Sequence, residues 1–238
     1  MKSHKTALYI LLIYLAMQLS SVVFMRPFAL FMKKRYPTMG KEELVLTING
    51  WYIVISFAVA LLLSLIVIAF NRNFWKIFKQ KPESIPTSIL WGVIGFFLVF
   101  VGQWIGGIIE HSLGITQASE NTANLTTIAD AAPIAILALA IIGPILEEFV
   151  FRRVIFGSLV QTTNFFIAAL ISSLVFAVIH FDFSHIIIYA ISGFIFAFLY
   201  YRTRRIITSI IAHMMLNGFV TAIQLYQEPI VKFLEQHQ

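Results

Sequence analysis

"ILEEFVFRRV", residues 145–154, places two adjacent carboxylates and two adjacent guanidinium groups in a stretch otherwise built from Ile, Leu, Phe and Val. Charges persist inside so apolar a segment only where a partner or a polar cavity offsets their desolvation. At about 100° per residue, Glu148 and Arg152, four apart, share one helical face, and Glu147 points roughly a quarter-turn away. The spacing suggests two jobs: Arg152 neutralises and orients Glu148, and Glu147 is left to address a cavity. The plainer alternative is that these charges end a span and snorkel into headgroups. Upstream, Asp130 followed by Pro133 reads as a capped helix start. Pro144, preceded by Gly143, has no N–H for the carbonyl of Ala140 and is expected to bend the helix one turn before the carboxylates.

Composition identifies the solvent. The chain is 59% hydrophobic and 12% charged, where a soluble domain carries about a quarter charged residues. The expected fold is an all-α, polytopic membrane helix bundle of about seven transmembrane helices, near residues 6–32, 49–70, 86–109, 131–160, 163–181, 185–201 and 206–227. Residues 1–125 hold about three N-terminal spans with their loops, 126–227 a helical core that carries the charged stretch, and 228–238 a short polar tail. The opening, basic and then apolar, reads as a retained first span rather than a cleaved signal, and no soluble domain or repeat is expected. The chain has no Cys, which removes disulfides, thiol nucleophiles and Cys-ligated metals together.

Basic loops set the expected orientation, in a cell membrane with the N-terminus cytoplasmic. Lys2, Lys5, Arg72, Lys76, Lys79, Lys81, Arg152, Arg153, Arg202, Arg204 and Arg205 then fall on or near the inside. The loop "EHSLGITQASENTANLTTIAD" (110–130), without Lys or Arg, falls outside, and "KKRYPTMGK" (33–41) dissents. Anionic lipid and this asymmetry account for the net charge of +6 with no nucleic acid partner. Arg26 reads as snorkelling, Glu110 and His111 as the end of a span, and Asp182 and His185 as loop-cap and interface residues.

Two further motifs accompany the glutamates. "FAVIH" sets Phe176 and His180 four apart, and "HMMLN" sets His213 and Asn217 on one face of the last span. A single intramembrane His is commonly a helix-packing residue. Two His, an Asn and a paired Glu make a hydrolytic set, since imidazole and carboxamide donate hydrogen bonds to an oxyanion and Glu accepts a proton from water.

The ordered set Glu147-Glu148-xxx-Arg152, Phe176-xxx-His180 and His213-xxx-Asn217 resembles the CPBP family of intramembrane endopeptidases, across roughly residues 130–220. That family includes type II CAAX prenyl endopeptidases and bacterial proteins tied to bacteriocin processing and self-immunity. The resemblance implies a glutamate-dependent peptidase. In it Glu147 is the general base, His180 positions and polarises the attacking water, and His213 with Asn217 forms the oxyanion hole. Glu148 and Arg152 are then a supporting pair, and Phe176 packs beside the site. The implied substrate is a peptide, prenylated, otherwise lipid-associated or secreted, reached among membrane lipids. Oligomeric state is not legible.

Other mechanisms fare less well. No His is followed by Glu, so an HExxH zinc enzyme is excluded. The only Asp residues, Asp130 and Asp182, stand at span edges, and Ser158 has no defensible base. No cofactor is expected. Zinc held by Glu147, His180 and His213 stays open as the alternative, as do a catalytically silent scaffold or immunity protein of the same fold and a small-solute transporter. A straight fifth span would strand His180 near the far surface, away from His213. Their meeting requires a short or tilted segment, with Ala168, Ala169, Ser172, Ser173 and Gly193 permitting close approach.

Overall fold

The computed structural model describes residues 3–71 and 73–236. Lys2 and Arg72 of the basic loops, and residues 237–238 of the expected tail, lie outside the described residues. Among the described residues every regular element is helical. Helices α1 (Ser3–Arg35), α2 (Lys41–Ala69) and α3 (Ile85–Ser112) precede α4 (Glu120–Ala131) and a segmented stretch. That stretch comprises α5 (Ala135–Leu137), a π-helical turn (Ala138–Ile142), α6 (Gly143–Glu147), a π-helical segment (Glu148–Phe156) and α7 (Gly157–Leu159). Then follow α8 (Phe165–Val178), α9 (Ile186–Thr203) and α10 (Ile206–Gln236), so the backbone of most of the tail continues the last helix.

Among the described residues, five helices are long and apolar enough to cross a membrane: α1, α2, α3, α9 with its leading turn from Phe183, and α10 as far as Tyr226. The other two expected spans take different forms. The fourth is interrupted by π-helical backbone, and Pro144 lies in the first turn of α6, where a missing N–H is tolerated. The fifth, α8, has 14 residues, or about 21 Å at about 1.5 Å per residue, short of a hydrocarbon core of about 30 Å. This shortness keeps His180 at the depth of the site.

Local chemistry explains several boundaries. Lys33, Lys34 and Arg35 occupy the last turn of α1, where they complement the negative end of the helix dipole; this gives the dissenting basic loop a structural reason. Asp130 caps nothing. The helix it was expected to start is preceded by α4, whose N-cap is Ser119, accepting from Thr122 N at 3.1 Å. A polar stretch rich in Asn and Thr thus forms a helix with the cap eleven residues earlier than expected.

In the bundle, α3 packs against α9 and α10, α8 against α9, and α1 against both α2 and the π-helical segment. One apolar core includes Ile10 and Tyr14 of α1, Phe96 and Val99 of α3, Leu146, Phe149, Val150 and Phe151, Phe196 of α9 and Leu216 of α10. The α8–α9 contact depends on small residues. A Cβ on Gly193 would lie 2.9 Å from the Cα of Ser173 and 3.2 Å from the Phe176 ring. Backbone cannot yield as a flexible side chain can, so Gly193→Val should destabilise the detergent-solubilised protein by about 1–3 kcal/mol, read as a lower thermal midpoint than in a Gly107→Val control, where the added Cβ meets open space.

Candidate active site

The π-helical segment supplies the charges. Eight of its nine residues are buried, including Glu148, Arg152 and Arg153, and the terminal snorkelling alternative does not describe them. Arg152 Nε lies 3.2 Å from Glu148 Oε2, both side chains having no solvent exposure. The guanidinium also sits over Phe176 at 4.5 Å and Phe196 at 5.1 Å. An aromatic face attracts a cation most where water is excluded, so ring and carboxylate together replace hydration. Arg153, one residue on, stacks over Phe74 at 4.0 Å and donates to the Phe74 carbonyl.

His213 joins α10 to this pair. Its Nδ1 lies 3.0 Å from Glu148 Oε1, and its Nε2 lies 3.5 Å from Glu147 Oε2. The ring stacks on Phe196 at 4.5 Å and 21°. The first contact is a hydrogen bond. The second is too long for one, and Glu147 Oε2 has no hydrogen-bond partner among the described residues. Glu147 is the more accessible glutamate, with 17% side-chain exposure against none for Glu148, as the quarter-turn separation suggests.

His180, just past the end of α8, is half-buried. Its Nδ1 lies 2.7 Å from the Phe176 carbonyl. A carbonyl only accepts, so Nδ1 carries the proton and donates, and a neutral ring then presents Nε2 as an acceptor. Phe176 packs edge-on against both His180, at 4.6 Å, and His213, at 5.7 Å. It is the spacer between them. Asn217 Nδ2 donates to the Leu139 carbonyl at 3.1 Å, in the π-helical turn before Gly143. The three distant motifs therefore converge within one packed cluster.

Several contributors carried no readable sequence signal. Tyr189 stacks on His180 at 4.2 Å and 27°, and its hydroxyl accepts from Asn121 at 3.2 Å. Phe196 supports both Arg152 and His213; an aromatic among the many Phe of α9 does not advertise this. At the same end of the bundle, Glu110 is buried and accepts from His185 Nδ1 at 2.8 Å and Ile188 N at 3.1 Å. His185 is thus buried rather than interfacial. Asp182 makes no cap to the turn it precedes and receives the Ser119 hydroxyl at 2.6 Å. Among the described residues, no three His, Asp or Glu are grouped to hold a metal ion as the side chains stand.

One buried and one partly accessible glutamate, two histidines and an asparagine are thus gathered among the apolar helices of a membrane protein, and its relatives are membrane peptidases. The family described as "Type II CAAX prenyl endopeptidase Rce1-like" matches residues 129–219, which contain every residue of the three motifs. The chain is 42% identical over 235 residues to "Putative membrane peptidase YdiL" of Bacillus subtilis (strain 168), covering 96% of this chain and 92% of that protein. It is 37% identical over 216 residues to "Membrane-embedded CAAX protease MroQ" of Staphylococcus aureus (strain USA300), covering 87% of each. A shorter match, 43% over 82 residues, is to "UPF0177 protein YxdF" of Lactococcus lactis subsp. lactis (strain IL1403), covering 34% of this chain and 45% of that protein. No solved structure matches. The chain is a multi-pass membrane protein and belongs to the CPBP family of CAAX-protease-like membrane peptidases.

Removing the Arg152 charge leaves Glu148 buried beside only a titratable ring. Arg152→Met should lower stability by about 3–5 kcal/mol, measured as the shift in thermal or denaturant midpoint in detergent. Arg152→Lys, which keeps charge but loses the planar stacking group, should fall between Met and wild type.

Proposed function

We propose that the protein hydrolyses peptide bonds of a membrane-associated or secreted peptide precursor by glutamate-activated water. The observation that carries this reading is the unequal environment of the two adjacent glutamates. Glu148 is fully enclosed and paired, whereas Glu147 is partly accessible and has an unbonded oxygen facing the His213 ring.

Each residue then has a defined task. Water held between Glu147 and the acceptor Nε2 of His180 attacks the scissile carbonyl carbon. Its proton passes to Glu147, and the carbonyl oxygen becomes an oxyanion. The second N–H of Asn217 and, in the two-proton form, the Nε2–H of His213 are donors for that oxygen, in a water-poor site where such donors act strongly. The C–N bond breaks as Glu147 returns the proton to the departing amine, giving a carboxylic acid and an amine. Glu148 and Arg152 hold His213 in position and take no proton.

Glu147→Gln keeps shape and removes the base. In cells with equal amounts of folded protein, the peptides cleaved by wild type should accumulate uncleaved in the variant, with turnover lowered by at least about 100-fold. An unchanged peptidome would favour a silent scaffold. The reaction needs no metal in this mechanism, so extended chelation should leave turnover of an identified peptide unchanged; loss on chelation with recovery on adding zinc would replace it with a metallopeptidase.

A further inference from the structure

A second feature lies at the bundle end where α9 gives way to α10 and α3 begins. There residues 73–84 fold over a cleft of about 420 Å³. Its aromatic walls are Trp75, Phe78 and Tyr200, and its cations are Lys76, Arg204 and Arg205. Among the described residues, no acidic side chain lines it. Glu83, the nearby carboxylate, is paired with Arg202 at 2.8 Å.

The two arginines are held in place by neutral acceptors. Arg204 NH1 donates to the Lys81 carbonyl at 3.0 Å, and Arg205 Nε donates to the Glu83 carbonyl. These bonds fix the guanidinium groups without cancelling their charge. Arg204 is moreover in the left-handed conformation, φ 57°, ending α9. That position favours Gly or Asn, and a strained side chain retained there points to a task. The cleft lies level with the ends of three membrane-crossing helices, hence at headgroup depth, where aromatic rings also collect. Fixed guanidinium groups suit a phosphodiester, and the apolar walls suit acyl chains. A zwitterionic headgroup would bring its ammonium against three cations.

We propose that this cleft is a binding site for one anionic diacyl phospholipid. The occupant is anchored by Lys76, Arg204 and Arg205 and packed on Trp75 and Phe78. Trp75 in turn meets Phe149 edge-on at 5.3 Å, one residue from Glu148, so the lipid would stand against the back wall of the charged cluster. The site is independent of the peptidase mechanism.

The test uses the full chain in phosphatidylcholine vesicles containing, at equal mole fraction, either phosphatidylglycerol or phosphatidylcholine with brominated acyl chains. Trp75 emission is isolated by difference from the Trp75→Phe protein, since three other tryptophans remain. Brominated phosphatidylglycerol should quench Trp75 at lower mole fraction than brominated phosphatidylcholine. Arg204→Asn and Lys76→Gln should each raise the phosphatidylglycerol needed for half-quenching by about fivefold. Arg204→Asn relieves the left-handed strain, so its thermal midpoint should equal or exceed that of wild type while lipid preference falls. Lys79→Gln, an exposed cation outside the cleft lining, should leave the preference intact. Equal quenching by the two lipids, or equal loss in Lys79→Gln and Arg204→Asn, would overturn the site and leave only diffuse surface charge.

Discussion

The buried contact among Glu148, Arg152 and His213 is the constraint on which the other features depend. Glu148 uses one oxygen toward Arg152 and the other toward His213, so a single carboxylate fastens the π-helical segment to α10. Neither partner is solvated, and the arrangement tolerates enclosure because rings replace the missing water: Phe176 and Phe196 face the guanidinium, and Phe196 also faces the imidazole. Buried ion pairs contribute little net stability against an apolar replacement. Their worth lies in geometry, since each alternative packing would leave a charge without its partner. Here that geometry fixes the orientation of the histidine facing Glu147.

The backbone around the glutamates serves the same end. Bonding i→i+5 gives a wider turn than an α-helix, and π-helical stretches concentrate at functional sites. From Glu148 to Phe156 the segment is buried on almost every side, with α1, α8, α9 and α10 packed around it. Arg152 and Arg153 consequently reach different neighbours, one the aromatic pair of α8 and α9, the other Phe74 of the connection after α2. Adjacent cations can be buried together only because separate elements receive them. The Ser172 hydroxyl, donating to the Phe151 carbonyl at 2.7 Å, ties α8 to the backbone of this segment.

Legibility in the sequence followed the range of the interaction. The Glu148–Arg152 pair depends on a four-residue spacing that brings side chains together whether the turn is α or slightly wider, so it could be read without knowing which. The convergence of His180 and His213 was legible as a requirement for a short or tilted segment; the choice between them, settled by a 14-residue α8, was not, because continuous hydropathy from 163 to 181 does not mark where a helix stops. The α4 helix was hidden for another reason. Asn and Thr are poor helix formers in isolation, and its stability comes from the Ser119 cap and its contacts with α2 and α10. Glu110 and His185 each stood out as polar residues at span edges, but a pairing across 75 residues leaves no local periodicity to detect.

Tyr189 shows how such long-range contacts reach the site. Its ring covers one side of His180, and Phe176 approaches another. Its hydroxyl is held by Asn121 in the first turn of α4, while Ser119, the cap of that helix, is held by Asp182 in the loop after His180. His180 lies just beyond α8, where helical hydrogen bonding no longer fixes the backbone, and Phe181 next to it has φ 54°. A side chain at such a position needs support from outside its own helix. That support comes from a polar surface stretch, α4 and its leading loop, which by composition alone looked like a passive connection. The orientation of the imidazole in the membrane interior is therefore tied to hydrogen bonds at the rim of the bundle.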